Sequence, residues 1–279
     1  MGVLNATPDS FSDGGLFYAP AAAVAHGTAL AREGAQIVDV GGESTRPGAE
    51  PVEEREELRR VVPVIEGLAA GLPRVAREDG APTATISVDT YKSVVAREAL
   101  HAGAGLVNDV SALRADPQMA EVVAESGARC CLSHILGAPH SRHPQPRYED
   151  VVDEVRAFLE ERLRFAVARG IAEQRVLLDP GIGFGKTPAH NLQLLRRLEE
   201  LVAIGPPLVV GTSRKSFLGR IAADAAGLRE PVGVEQRLPG TIATNVLAYE
   251  RGASVFRVHD VAPVRDALAV AAATLAAHD

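Results

Sequence analysis

The sequence has no tryptophan, two methionines and two cysteines, and aromatic side chains make up 4% of 279 residues against 46% hydrophobic overall. A large core must then be filled by Ala, Val, Leu and Ile, as the cores of layered parallel sheets are. Cys130 and Cys131 are adjacent, so on a strand they point to opposite faces. They match no zinc or redox spacing and read as reduced, packed thiols. No apolar run approaches the roughly 18 residues of a membrane span, and no charged segment followed by an apolar one opens the chain. The expectation is a cytoplasmic protein with no membrane partner. Basic charge is also short: the net charge of −7 disfavours nucleic acid, so an anionic substrate must meet a local basic cluster. Of 29 basic residues only Lys92, Lys186 and Lys215 are lysine. Arginine serves wherever a generic cation will do, so a lysine marks a place where a compact ammonium is wanted. Lys215, in Gly211-Thr212-Ser213-Arg214-Lys215-Ser216, fits that description. Lys92 and Lys186 precede helical patterns and read as solvated flanking cations.

What the chain does have is a repeated alternation of strand-length apolar runs with longer helical patterns. Eight such runs end at Leu4, Val40, Val88, Val107, Leu132, Leu178, Val210 and Phe256. The first is very short: either residues precede Met1 or that strand is trimmed. Helical periodicity shows in Val151, Val152, Val155, Leu159, Leu163 and Ala166, and again in Val264, Leu268, Ala271 and Leu275. Several helices should stop at Gly34-Ala35, Gly103-Ala104, Gly127-Ala128 and Gly252-Ala253, with Gly in the left-handed conformation just past the helix end. Eight βα units without a composition break predict one (β/α)8 TIM barrel over residues 1–279, with an open doubly wound sheet as the alternative. The polar residues favour the barrel. Asn5, Asp39 to Arg46, Asp89, Asn108, Asp109, His134, Asp179, Ser213 to Lys215 and Arg257 to His259 all follow strand ends, and a barrel gathers such positions at one mouth.

The most pointed stretch is Leu177-Leu178-Asp179-Pro180-Gly181-Ile182-Gly183-Phe184-Gly185-Lys186, where a buried strand delivers one acid to a rim and alternating glycines allow a ligand close to the backbone. It is not a Walker A loop, since position 180 is Pro, nor a G-x-G-x-x-G dinucleotide fingerprint. The segment Asn5 to Gly15 is long and rich in oxygen ligands. It reads as a loop offering Asp13 and Asn5 to a magnesium ion (Mg²⁺), or as a solvated turn-rich loop. Arg46, in Gly41 to Gly48, suits a planar anion. Arg257 and His259 alternate to one side after the last strand, where barrels commonly bind phosphate. Asp89, Asp179 and Asn108 would face one another across the mouth and suit a heterocycle with amino donors and a carbonyl acceptor. Alternatively they cap the following helices.

Seven ordered motifs resemble the dihydropteroate synthase family: Gly2-Val-Leu-Asn-Ala-Thr-Pro-Asp-Ser-Phe-Ser-Asp-Gly-Gly15, Val38-Asp-Val-Gly-Gly-Glu-Ser-Thr-Arg-Pro-Gly-Ala49, Ile86-Ser-Val-Asp-Thr90, Asn108-Asp-Val-Ser111, Leu178-Asp-Pro-Gly-Ile-Gly-Phe-Gly-Lys186, Ser213-Arg-Lys215 and Arg257-Val-His-Asp260. The resemblance implies a transferase of folate biosynthesis that condenses (7,8-dihydropterin-6-yl)methyl diphosphate with 4-aminobenzoate, with Mg²⁺. It assigns Asp89, Asn108, Asp179 and Lys215 to the pterin, Asn5, Arg257 and His259 to the diphosphate, and Asn5 and Asp13 to the metal. Thr45, Arg46, Pro47, Phe184, Ser213 and Lys215 would shape the 4-aminobenzoate pocket, part of it formed when the first two loops close. Asp89, Lys215 and Asp179 are the implied catalytic set. After strand five the family reads Met-His-Met, whereas this chain has Ser133-His134-Ile135, so Ile135 supplies an apolar wall to the pterin without the polarisable sulfur. Membership also implies a homodimer through barrel helices, to which the Ala-rich stripe ending near Ala277 could contribute if it does not face the core. A corrinoid-dependent pterin methyltransferase would share Asp89 and Asp179 but not the oxygen-rich first loop or Ser213-Arg214-Lys215.

Overall fold

The computed structural model describes residues 1–7, 20–44, 49–72, 84–141, 143 and 145–277. Each apolar run becomes a strand: β1 (Gly2–Asn5), β2 (Ile37–Gly41), β3 (Thr85–Asp89), β4 (Leu106–Asp109), β5 (Arg129–Ser133), β6 (Val176–Asp179), β7 (Val209–Val210) and β8 (Val255–Phe256). Between and after them lie α1 (Pro20–Arg32), α2 (Glu54–Gly71), α3 (Ser93–His101), α4 (Met119–Ser126), α5 (Val151–Ala168), α6 (Pro188–Arg196), α7 (Leu198–Val202), α8 (Ser216–Ala225), α9 (Leu238–Glu250) and α10 (Val261–Ala276). Most strands run one or two residues past the predicted end, because the first polar residue still pairs in the ladder while its side chain turns to the mouth.

Strands β1 to β6 pair in order, all parallel, and β7 pairs with β8. Backbone hydrogen bonds join the two sheets at both seams. Leu178 N donates to Pro207 O at 3.0 Å, Val3 N donates to Val258 O at 2.9 Å, and Val258 N donates to Met1 O at 2.9 Å. The ring is closed, a (β/α)8 barrel rather than an open sheet, so its strands have no free edge.

Side-chain alternation divides the hydrophobic interior in two. Ile37, Leu106, Cys131, Leu177 and Val209 pack as one cluster with Met1 and Val255 inside the ring. Val38, Val40, Val88, Val107, Cys130, Leu132, Leu178 and Val210 face outward into the larger core beneath the helices. The two adjacent cysteines therefore point to opposite faces, both buried and both free, and burial raises both thiols.

Helix ends follow the sequence signals. Gly34, Gly103, Gly127 and Gly252 have φ of 108°, 115°, 65° and 91°, the left-handed conformation expected at these stops. Helix α5 buries Val151, Val152, Val155, Leu159, Leu163 and Ala166, with Arg162 on the same face. The stripe of the last helix divides between core and surface: Val261 and Val264 of α10 are buried and Leu268 packs against the core, while Val270 and Leu275 are 68% and 57% exposed.

Leu178 is fully buried on the outer face of β6, one residue before Asp179. Leu178→Ala should cost about 2–5 kcal/mol, read as a lower urea midpoint with unchanged slope.

Candidate active site

The inner apolar layer gives way to a polar one two residues further along the strands. Asp39 follows Ile37, Asn108 follows Leu106, Ser133 follows Cys131, Asp179 follows Leu177 and Arg257 follows Val255, each turned inward by the same period of two. Asp89 joins this layer from β3, in register with Gly41 and Asn108. Arg257 ties the layer together: Nε donates to Asp39 Oδ2 at 2.7 Å and one terminal nitrogen donates to Asp89 Oδ2 at 2.7 Å. Asn108 Nδ2 also donates to Asp39 Oδ2, at 3.1 Å. Burial pushes the Asp89 carboxyl upward, against the pull of Arg257. The neighbouring acids hold Arg257 firmly charged.

Asp39 is fully buried, and its Oδ1 has no hydrogen-bond partner among the described residues. The sequence reading placed it in the polar cluster but gave it no role. The available signal was that it shares a strand face with Ile37. Helix capping does not account for these residues. The N-cap positions of α3 and α6 are Lys92 and Thr187, and of the group only Asp179 bonds to its own loop, accepting from Gly181 N at 2.7 Å. Asp109, by contrast, serves its own turn, accepting from Ser111 N and Leu113 N at 2.7 Å.

The turn after β6 corrects the expectation about its glycines. A Cβ on Gly181 would lie 1.8 Å from the His134 carbonyl oxygen, and one on Gly185 would lie 2.5 Å from Leu136 Cβ. Gly181, Gly183 and Gly185 all have positive φ. These glycines make room for the protein's own chain.

Lys215 Nζ donates to the Ile182 carbonyl and lies 4.6 Å from the centroid of the Phe184 ring. Burial lowers Lys215 to about 8, with Asp179 opposing the fall. Burial likewise raises the Asp179 carboxyl, opposed by Gly181 N–H, Lys215, Arg257 and Lys186.

Lys186 and Lys92 are not solvated. Lys186 is buried with Nζ 2.8 Å from His134 Nδ1, 3.0 Å from Gly181 O and 3.1 Å from Phe184 O. Lys92 Nζ donates to Glu43 at 2.8 Å, Val52 O at 2.6 Å and Glu57 at 2.5 Å. Lysine scarcity, applied above to Lys215 alone, was a signal for all three.

At the rim, Ser213 Oγ lies 2.9 Å from His259 Nδ1 and accepts from His259 N at 3.1 Å. Arg214 turns away with φ 59° and grips Asp260 through two nitrogens, at 3.0 and 2.7 Å. Ser213-Arg214-Lys215 thus splits by partner: Ser213 meets His259, Arg214 meets Asp260 and Lys215 meets the Ile182 carbonyl. Asn5, half-buried at the end of β1, shares a cavity of about 330 Å³ with His26, Arg214, His259 and Asp260. Ile135 is buried, and its carbonyl accepts from Arg114 at 3.0 Å. Asp13, Thr45, Arg46 and Pro47 lie outside the described residues.

Comparisons with known proteins agree with this arrangement. The profile of the family described as pterin binding enzyme matches residues 1–259. The chain is 49% identical over 278 residues to the dihydropteroate synthase of Mycobacterium leprae (strain TN), covering 99% of this chain and 93% of that one. Among solved structures, Xanthomonas albilineans dihydropteroate synthase with 4-aminobenzoic acid is 47% identical with a TM-score of 0.87, covering 100% and 93% of the two chains. The same enzyme in complex with 7,8-dihydropteroate is 45% identical with a TM-score of 0.83, covering 100% and 94%. A closed barrel with acids, an amide and lysines at its mouth, matched over nearly its whole length, belongs to the dihydropteroate synthase family of pterin-binding enzymes.

Proposed function

We propose that this chain joins (7,8-dihydropterin-6-yl)methyl diphosphate to 4-aminobenzoate, giving 7,8-dihydropteroate and pyrophosphate in folate biosynthesis. The observation that carries this reading is the polar layer inside the ring, Asp39, Asp89, Asn108, Asp179 and Arg257, with Lys215 beside it. Carboxylates and an amide carbonyl accept from the amino and imino groups of a pterin, while Lys215 and the Asn108 amide can donate to its carbonyl. The Xanthomonas relative is seen with both the arylamine and the product. These supports carry the pterin role of Asp89, Asn108, Asp179 and Lys215, with Ile135 as an apolar wall.

The chemistry asks little of the protein as a nucleophile. The arylamine nitrogen forms a bond to the pterin methylene carbon, the carbon–oxygen bond to diphosphate breaks, and the nitrogen loses a proton. Because arylamines are weak nucleophiles, departure of the diphosphate must be assisted. His259 and Asn5, which line one cavity, and Arg257 at the adjacent mouth would receive its charge. The Asp89 carboxylate would offset positive charge developing on the pterin methylene. Phe184, with its ring beside Lys215, would flank the arylamine together with Ser213, Thr45, Arg46 and Pro47.

The residues present fit a magnesium ion that enters with the diphosphate. Asn5 offers a hard amide oxygen at the rim: a Cβ on Gly41 would meet Asn5 Oδ1 and Asp89 Oδ2 at 3.8 Å each. Asp13 would add a carboxylate, the usual protein share when phosphates supply the remaining ligands. When bound, the ion would neutralise the leaving group.

Association through the last helices, as a homodimer, is supported by the apolar residues left exposed there. Ile221 of α8, Leu247 of α9 and Val270 and Leu275 of α10 are each more than 40% exposed. A cytoplasmic setting is supported by two free buried thiols. No helix among the described residues is long and apolar enough to cross a membrane.

Incubation with both substrates and Mg²⁺ should release pyrophosphate together with a product of the mass of dihydropteroate. Asp89→Asn and Lys215→Ala should each lower turnover by at least about 100-fold, as loss of a transition-state contact does, with an unchanged circular-dichroism spectrum. Near wild-type rates in either variant would remove the role given to that residue. With its ammonium lowered to about 8, Lys215 is charged below that pH and neutral above it. The free-enzyme kcat/KM should therefore fall as pH rises through about 8, a limb absent from Lys215→Arg if that variant retains measurable activity.

A further inference from the structure

We propose that Lys186 is a positioning residue of this site, holding the turn from Asp179 to Lys186 so that the Phe184 ring is presented to the arylamine. The inference rests on the synthase reading above and adds a residue to its arylamine side.

The backbone of that turn belongs to neither a helix nor a sheet, so its polar groups must find other partners. Side chains from surrounding elements supply most of them. Gly185 O accepts from Tyr148 Oη at 2.9 Å, Gly183 N donates to Asn191 Oδ1 at 2.7 Å, and Gly181 N donates to Asp179 at 2.7 Å. Ile182 O is taken by Lys215. The Phe184 carbonyl is taken by Lys186, which also donates to Gly181 O beside the Phe184 N–H at 3.0 Å. An ammonium has three donors, and the third meets His134 Nδ1 at 2.8 Å. Burial pushes His134 down to about 2, which leaves the imidazole neutral and able to accept.

Burying a lysine is costly, and burial lowers this one to about 7. A methionine of similar length would avoid the penalty. What it could not do is bridge His134, the residue after β5, to two carbonyls three residues apart in the turn. With its donors directed to these acceptors, Lys186 acts through Phe184. The Phe184 carbonyl is pinned on one side by Lys186, while the ring lies beside the Lys215 ammonium on the other. Asp179 reaches the turn by a separate bond to Gly181 N. Loss of Lys186 should therefore disturb the arylamine side more than the pterin side.

The test is a double-mutant cycle of Lys186→Met and Phe184→Leu on the full-length enzyme. KM for each substrate and kcat are measured from dihydropteroate formation, alongside thermal midpoints. The expected result for Lys186→Met is a rise of about 10-fold in KM for 4-aminobenzoate, equivalent to roughly 1.4 kcal/mol. KM for the dihydropterin diphosphate should change less than about 3-fold, and the double variant should be no worse than the more impaired single variant, because coupled residues are non-additive. Multiplying effects, or an equal rise in both KM values, would overturn the inference while leaving the synthase reading intact. If Lys186→Met does not fold, Lys186→Gln keeps an amide donor for the turn, and the same cycle decides with it. A wild-type enzyme that forms no dihydropteroate would instead remove the reading on which the inference stands.

Discussion

The arginine that bridges the buried Asp39 and the half-buried Asp89 is the interaction on which the mouth of this barrel depends. Asp39 and Asp89 lie on adjacent strands and point into a ring too narrow to hydrate them as bulk water would. Arg257, reaching across the β8–β1 seam, satisfies one oxygen of each at 2.7 Å. Removing Arg257 would leave the fully buried Asp39 without its charge partner. The same arrangement leaves Asp39 Oδ1 unpartnered and burial pressing on Asp89. A layer so balanced is a ready acceptor for a heterocycle that brings its own donors.

That balance exists only because the ring closes. The last two strands are two residues each, too short to define an edge by themselves, and they are held by single seams to β6 and β1. Closure brings Arg257 from near the C-terminal end of the chain against acids from its first third. It also stacks the polar layer on an apolar plug that includes Cys131, so the site has a dry floor. Outside the ring, Lys92 collects Glu43, Glu57 and the Val52 carbonyl. The half-buried Lys92 and the buried Lys186, each surrounded by acceptors, thus brace the loops on two sides of the mouth.

Much of this was legible in the residues. Apolar runs of strand length, separated by helical patterns and Gly-Ala stops, described eight βα units because each obeys a short-range rule: a period of two, a period of 3.6, or a left-handed glycine. Asp89, Asn108 and Asp179 were legible because a carboxylate or amide ending a buried strand is improbable without a use. The glycines after Asp179 were misread. Whether a glycine admits a ligand or a neighbouring loop depends on what lies opposite, and the His134 carbonyl comes from another strand. The stripe of the C-terminal helix stayed open between a core face and a partner face, since Ala, Val and Leu look the same in either place.

By itself, then, the sequence determined the barrel, the order of its elements, the family and the set of residues at the strand ends, all consequences of local periodicity and motif. Only the tertiary structure decided which of those residues meet: that Arg257 spans Asp39 and Asp89, that Ser213 pairs with His259 while Arg214 turns to Asp260, and that Lys186 is a brace within the core. The physical reason is that hydrogen bonds and ion pairs are set by distances in space. In a closed ring those distances link residues far apart in the chain, as Arg257 and Asp39 are at a separation of 218 positions.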